Sequence, residues 1–198
     1  IPTARHEAAC ASGSMAVIAA MNDIKLGHAE ISAVVGLEIM RNVPGATGAD
    51  YLGAATWYGA EATDCQFPWP YMFDRILDEY DRRHGVNTDY LKDIARINFD
   101  NAKRNPNAQA RNWQFTEENY SNDEQANPAI EGRIRKMDCG QITDGAASVI
   151  LASEAAAKAY AKANGLSLAD VPRIKGWGHR SSTLLLDRKF ELSAGQPL

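Results

Sequence analysis

Only three cysteines occur in 198 residues, and no two stand at a Cys-x-x-Cys spacing. An odd count without that spacing argues against a disulfide framework and against a cysteine-built zinc site. Reduced thiols and a cytoplasmic location are the expectation instead. Long apolar runs are also missing. The longest, Ala146 to Ala152, is strand-sized, where a membrane-spanning helix needs roughly 18 residues. No charge sign dominates: 21 basic and 25 acidic residues leave a net −4, which argues against nucleic-acid binding through a general electrostatic field. Internal repeats and low-complexity tracts are absent. The opening Ile1-Pro2-Thr3-Ala4-Arg5-His6 has neither an initiator methionine nor the regions of a signal peptide, so the chain is expected to be a segment of a larger protein. What remains is ordinary globular composition, 45% hydrophobic and 23% charged, in a length that suits one large domain or two small ones.

Periodicity places the elements. Met15, Ile18, Met21 and Leu26 follow a helical face from Ser12 onward, and Gly27 suits its C-terminal cap. Ser32 to Leu37 is short and nearly all apolar, the pattern of a strand buried on both faces. Residues 42–70 hold Pro44, Gly45, Gly48, Gly53 and Gly59 without a long period, which predicts an extended excursion. Helices are predicted over 71–84, with Met72, Phe73, Ile76, Leu77 and Tyr80 inward, and after a Thr88 cap, with Leu91, Ile94, Ala95 and Ala102 inward. Asn105-Pro106 stops the second. The polar stretch 107–127 carries Trp113, Phe115 and Tyr120, which need a packing partner. Asp144 to Ser153 predicts a second buried strand, Ser153 a cap for a helix over 154–163, and Pro172 to Trp177 a third strand. This order implies an α/β layered fold with a helical insertion.

The sharpest chemical feature is Cys10, in Glu7-Ala-Ala-Cys-Ala-Ser-Gly-Ser-Met15, just before the first helix. Unpaired N–H groups and the positive end of the helix dipole favour a thiolate there. Small neighbours (Ala8, Ala9, Ala11, Gly13) allow close approach of a substrate. Cys65, in a loop, and Cys139, ahead of a strand, lack this placement and read as structural thiols. No His or Cys pair has metal-ligand spacing, so no metal site is expected.

Four stretches resemble the thiolase family, in that family's order. Ala8-Ala-Cys-Ala-Ser-Gly-Ser-Met-Ala16 resembles the nucleophile motif, and Val35-Gly-Leu-Glu-Ile-Met40 the strand and turn that follow it. Asn98 to Ala108 is similar to the insertion of the sterol-carrier-protein type, and Asp144-Gly-Ala-Ala-Ser-Val-Ile-Leu-Ala-Ser153 to the Asp-Gly-Ala-Ala strand. The resemblance implies part of a thiolase-like layered α/β fold, in which two βαβαβ halves lie back to back. Residues 1–41 would belong to the N-terminal half, 42–137 to the loop domain that covers coenzyme A, 138–153 to the return strand, and 154–198 to the start of the C-terminal half.

The implied activity is acyl-CoA C-acyl transfer through a thioester on Cys10, in thiolysis or Claisen condensation. Coenzyme A thioester would be the substrate, with no tightly bound cofactor. Gly140, Gln141, Arg135 and Met40 fall where substrate or coenzyme A contacts are expected, and Lys103, Arg104, Arg111, Arg133 and Lys136 add positive charge around the insertion. Many thiolases have a serine where Gly140 stands. The family's Gly-His-Pro, Asn-Glu-Ala-Phe and His-Asp-Cys-Phe motifs do not occur in this sequence, so the segment alone is expected to be inactive. A homodimer or tetramer is expected, paired through the first sheet. Two other readings keep the fold: an aldolase subunit acting on coenzyme A thioesters with an OB-fold partner, and a non-catalytic thiolase-like subunit.

Overall fold

The expected helix after Cys10 and strand after Gly27 open a computed structural model that describes residues 1–194. In chain order its elements are α1 (Ser12–Lys25), β1 (Ile31–Glu38), α2 (Gly45–Gly53), α3 (Pro68–His84), α4 (Asp89–Arg104), β2 (Ala129–Glu131), β3 (Ile134–Arg135), β4 (Gly145–Ala152), α5 (Glu154–Ala163) and α6 (Leu186–Leu192). Short 3₁₀ turns join them. This is a mixed α/β structure, as the order of patterns implied. Contacts group it into two units. The first holds Ile1–Met40 and Thr143–Ser181; the second holds Arg41–Ile142 and the described residues from Ser182 on.

In the first unit, α1 ends where Gly27 takes a left-handed φ of 74°, and His28 N–H donates back to the Asp23 carbonyl at 2.9 Å. The chain turns into β1, which pairs antiparallel with β4 from Ile31 opposite Ala152 to Glu38 opposite Gly145. Both strands were expected to be buried on both faces, and they are not. Val34 is buried, but Val35, Leu37 and Ile150 are 69%, 65% and 65% exposed. A two-stranded ribbon has two faces and two edges, and α1 and α5 cover only part of them. Ser153 caps α5 as predicted, its Oγ accepting from Ala156 N–H at 3.1 Å. Residues 172–177 form no strand. A strand needs a hydrogen-bonded neighbour, and none is present for this stretch among the described residues.

In the second unit the predicted excursion contains an unpredicted helix, α2, packed on α3. Gly48, Ala49 and Gly53 are buried, and a Cβ on Gly53 would stand 2.9 Å from Pro68 Cγ. Helix α3 buries Met72 but leaves Phe73 and Tyr80 exposed. Helix α4 buries Ala95 with Phe99 beside it, while Ile94 points outward. Thr88 makes no side-chain cap; Asn87 Oδ1 accepts the Asp89 N–H at 3.0 Å instead.

The core of this unit joins Ala95, Tyr120 and Met137 with Phe99 and Phe115. The Phe99 and Phe115 centroids lie 4.4 Å apart, and Trp113 lies 6.4 Å from each. The aromatics of the polar stretch therefore pack on α4. Asn127, only 2% exposed, ties the polar stretch down: its Nδ2 donates to the Ser121 carbonyl at 2.9 Å and its Oδ1 accepts the buried Met137 N–H at 3.0 Å.

The β2–β3 hairpin docks on α3 through carboxylates. Glu131 Oε1 accepts the Gln66 and Phe67 N–H groups at 2.9 Å each, completing the α3 N-terminus. Gly132, at φ 53°, lies so close to Asp74 that a Cβ would fall 1.9 Å from its Oδ2. Helix α6 is held by Arg83, whose guanidinium donates to the Phe190 and Ser193 carbonyls at 2.9 and 3.0 Å. Arg82 and Arg83 also bond Glu79 and hold its carboxyl down at about 2.

Candidate active site

Cys10 occupies the 3₁₀ turn Ala9–Ala11, which runs directly into α1, and it is exposed. The turn is held from both sides. Glu7 Oε1 accepts the Ala9 N–H at 2.7 Å, and Ser12 Oγ accepts the Ala8 N–H at 2.8 Å. The single Ser12 hydroxyl hydrogen is within reach of both the Ala9 carbonyl, at 2.7 Å, and Glu7 Oε1, at 3.1 Å. The Ala9 N–H first and the Ser12 hydroxyl second hold the Glu7 carboxyl below the usual carboxylate range. Ala9 itself sits at φ 48°, a left-handed conformation that L residues with a Cβ adopt at a cost of order 1 kcal/mol or more.

This arrangement presents one thiol at the open end of a 14-residue helix. The positive end of the α1 dipole favours negative charge on the oxygen of an attacked carbonyl, while the Ala11 and Ser12 N–H groups are taken by the Ala8 and Ala9 carbonyls. A Cβ on Gly13 would meet nothing within 4 Å, so the approach on that side is open. The other thiols differ. Desolvation, then Glu131 and Asp64, push the half-buried Cys65 thiol up. Desolvation, then Asp138, push up the half-buried Cys139 thiol.

Met40 belongs to the same unit as Cys10, just past β1. Its N–H donates to Asp144 Oδ1 at 2.8 Å, so the aspartate of Asp-Gly-Ala-Ala fastens the end of β1 to the start of β4. Arg135, Gly140 and Gln141 belong to the second unit. Arg135 pairs with Glu124 at 2.8 Å and donates to the Asn127 carbonyl at 2.8 Å. Gly140 and Gln141 are exposed in the extended run before β4, and a Cβ on Gly140 would meet nothing within 4 Å. Of the other basic residues, Arg133 pairs with Asp78 and Asp81, and Lys103 with Asp100. Among the described residues no group of three His, Cys, Asp or Glu side chains is placed to hold a metal ion, and no helix is long and apolar enough to cross a membrane.

The sequence pattern missed Glu7, Ser12 and Asp144 as positioning groups. The only signal for the first pair was a carboxylate and a hydroxyl bracketing the turn.

The family model described as thiolase, N-terminal domain, matches residues 1–155. An acetyl-CoA acetyltransferase of Methanothermobacter thermautotrophicus is 31% identical over 161 residues, covering 81% of this chain and 40% of the relative. An acetyl-CoA acetyltransferase of Methanocaldococcus jannaschii is 28% identical over 194 residues, covering 98% of this chain and 46% of the relative. The chain thus spans less than half the length of these curated relatives. With the family's N-terminal domain matched over most of its length, the chain belongs to the thiolase family.

Proposed function

We propose that the protein containing this chain transfers acyl groups from acyl-CoA through a thioester on Cys10. The observation that carries the proposal is the placement of Cys10: exposed, in a held turn, at the start of α1, inside the stretch matched by the thiolase N-terminal domain. The Cys10 thiolate would attack the thioester carbonyl, forming a new C–S bond. The bond from that carbon to the coenzyme A sulfur would break, and the departing thiolate would take up a proton. The positive end of the α1 dipole would stabilise the oxyanion between these steps. A second acceptor, coenzyme A or the α-carbon of acetyl-CoA, would then remove the acyl group.

In the same reading, Met40, in the unit that holds Cys10, would contact the substrate. Copies pair through β1, a reading supported by the exposed Val35 and Leu37. Incubation of the whole protein with acetyl-CoA, followed by peptide mapping, tests the proposal. The Cys10 peptide should carry an acetyl group that is released by free coenzyme A. Acetylation elsewhere, or none, would remove the thioester mechanism.

A further inference from the structure

We infer that Glu7 is a positioning residue for the nucleophile: its carboxylate, with the Ser12 hydroxyl, holds Ala9 in the left-handed turn that presents Cys10. The inference rests on the reading of Cys10 as nucleophile and adds to it a residue that has no reacting atom of its own.

Three observations carry it. Ala9 precedes Cys10 at φ 48°, where glycine would be unstrained and alanine is not. A turn of that kind opens unless its surroundings hold it. The groups that hold it here come from the two residues bracketing the turn. Glu7 takes the Ala9 N–H at 2.7 Å, and Ser12 takes the Ala8 N–H at 2.8 Å while its own hydroxyl reaches the Ala9 carbonyl or Glu7. An ionised carboxylate is the stronger acceptor for such an N–H. Glu7 is exposed, and the hydrogen bonds its carboxylate accepts come from the turn itself, so the turn is the role the geometry points to.

The negative charge itself works against a thiolate nearby. What the turn needs from Glu7 is an acceptor oxygen, and Gln supplies one. Backbone relief at position 9 should also replace Glu7, because glycine takes φ 48° without strain.

The test uses the whole protein in four forms: parent, Glu7→Ala, Glu7→Gln, and Glu7→Ala combined with Ala9→Gly. Two readouts are taken. One is the single-turnover rate and KM for Cys10 acetylation by acetyl-CoA. The other is hydrogen exchange at the Ala8 and Ala9 amides. Glu7→Ala should slow acetylation about tenfold or more with KM within about twofold, because small misplacements of a reacting atom are costly. The same variant should speed exchange at Ala9. Glu7→Gln and the Ala9→Gly combination should each restore most of the rate. If the parent does not acetylate Cys10 but Ala9 exchange still depends on Glu7, the proposed function fails and takes the role toward a nucleophile with it, while Glu7 is still shown to hold the turn. Parent-like exchange and rate in Glu7→Ala would overturn the inference. So would a Gln variant as slow as the Ala variant, because the charge would then be the active feature.

Discussion

Replacing Asn127 by alanine should destabilise the second unit by about 3 kcal/mol. The magnitude follows from its contacts. Asn127 is 2% exposed, so water does not compete for its amide. Truncation removes the bond from Nδ2 to the Ser121 carbonyl and the bond from Met137 N–H to Oδ1. Each net bond contributes about 1 kcal/mol, and stranding the buried Met137 N–H adds about 1 kcal/mol or more. Met137 also belongs to the Ala95–Tyr120 core, so relaxation to recover its N–H would disturb ring packing. The assay is urea unfolding of the whole protein, followed by tryptophan fluorescence, because Trp113 lies against Phe99 and Phe115. At a typical slope of about 2 kcal/mol per molar urea, the midpoint should fall by about 1.5 M. Gln125→Ala, nearby and exposed, should move stability by less than about 0.5 kcal/mol. A loss below about 1 kcal/mol for Asn127→Ala would refute the reasoning, because the amide would then not be the tie that orders this stretch.

Two further outcomes are expected. Limiting iodoacetamide on the folded whole protein should alkylate Cys10 about tenfold faster than Cys65 or Cys139, since those two are half-buried and their thiols are pushed up; peptide mapping that finds either of them first would end the assignment. Glu79, held at about 2 by Arg82 and Arg83, has a folded pKa below its ordinary value of 4.5. Its stabilising contribution is therefore complete above about pH 4.5 and is lost as pH falls toward 2. Carboxyl NMR should place the Glu79 midpoint near 2, and a midpoint in the ordinary range would show that the arginine pair does not persist in solution.

Legibility in the sequence followed how local the cause was. Helices α3 and α4 were readable because a repeating apolar face and a stop, at Gly85 and at Asn105-Pro106, are written into adjacent residues. The aromatics near residue 115 announced a packing partner, but only the structure shows that the partner is α4. Helix α2 was hidden because its buried positions are Gly48, Ala49 and Gly53, small residues that pack by closeness and give no hydrophobic signal. Ile94 was assigned to the wrong face because Phe99, four residues beyond Ala95, sets the true stripe. The strand expected at 172–177 had β composition but no neighbour, and strands are stabilised by their neighbours. At the site, Cys10 stood out by position. The brace formed by Glu7 and Ser12 did not, because it follows no standard capping spacing.

The grip of Arg83 on α6 also bears on how this architecture could be exchanged between proteins. The carbonyls of Phe190 and Ser193 come from a stretch that begins at Ser182, and the guanidinium they receive comes from α3; the segment 143–181, which lies between them in sequence, belongs to the other unit. A genetic crossover that moved residues 41–142 as one block would leave α6 behind. It would remove the Phe190 and Ser193 carbonyls from a guanidinium whose side chain is only 12% exposed, leaving its bond to Glu79 in place. Recombination that preserves the unit needs a third breakpoint near residue 182, and a swap made without it would produce a chain with the right family letters and an unfinished fold.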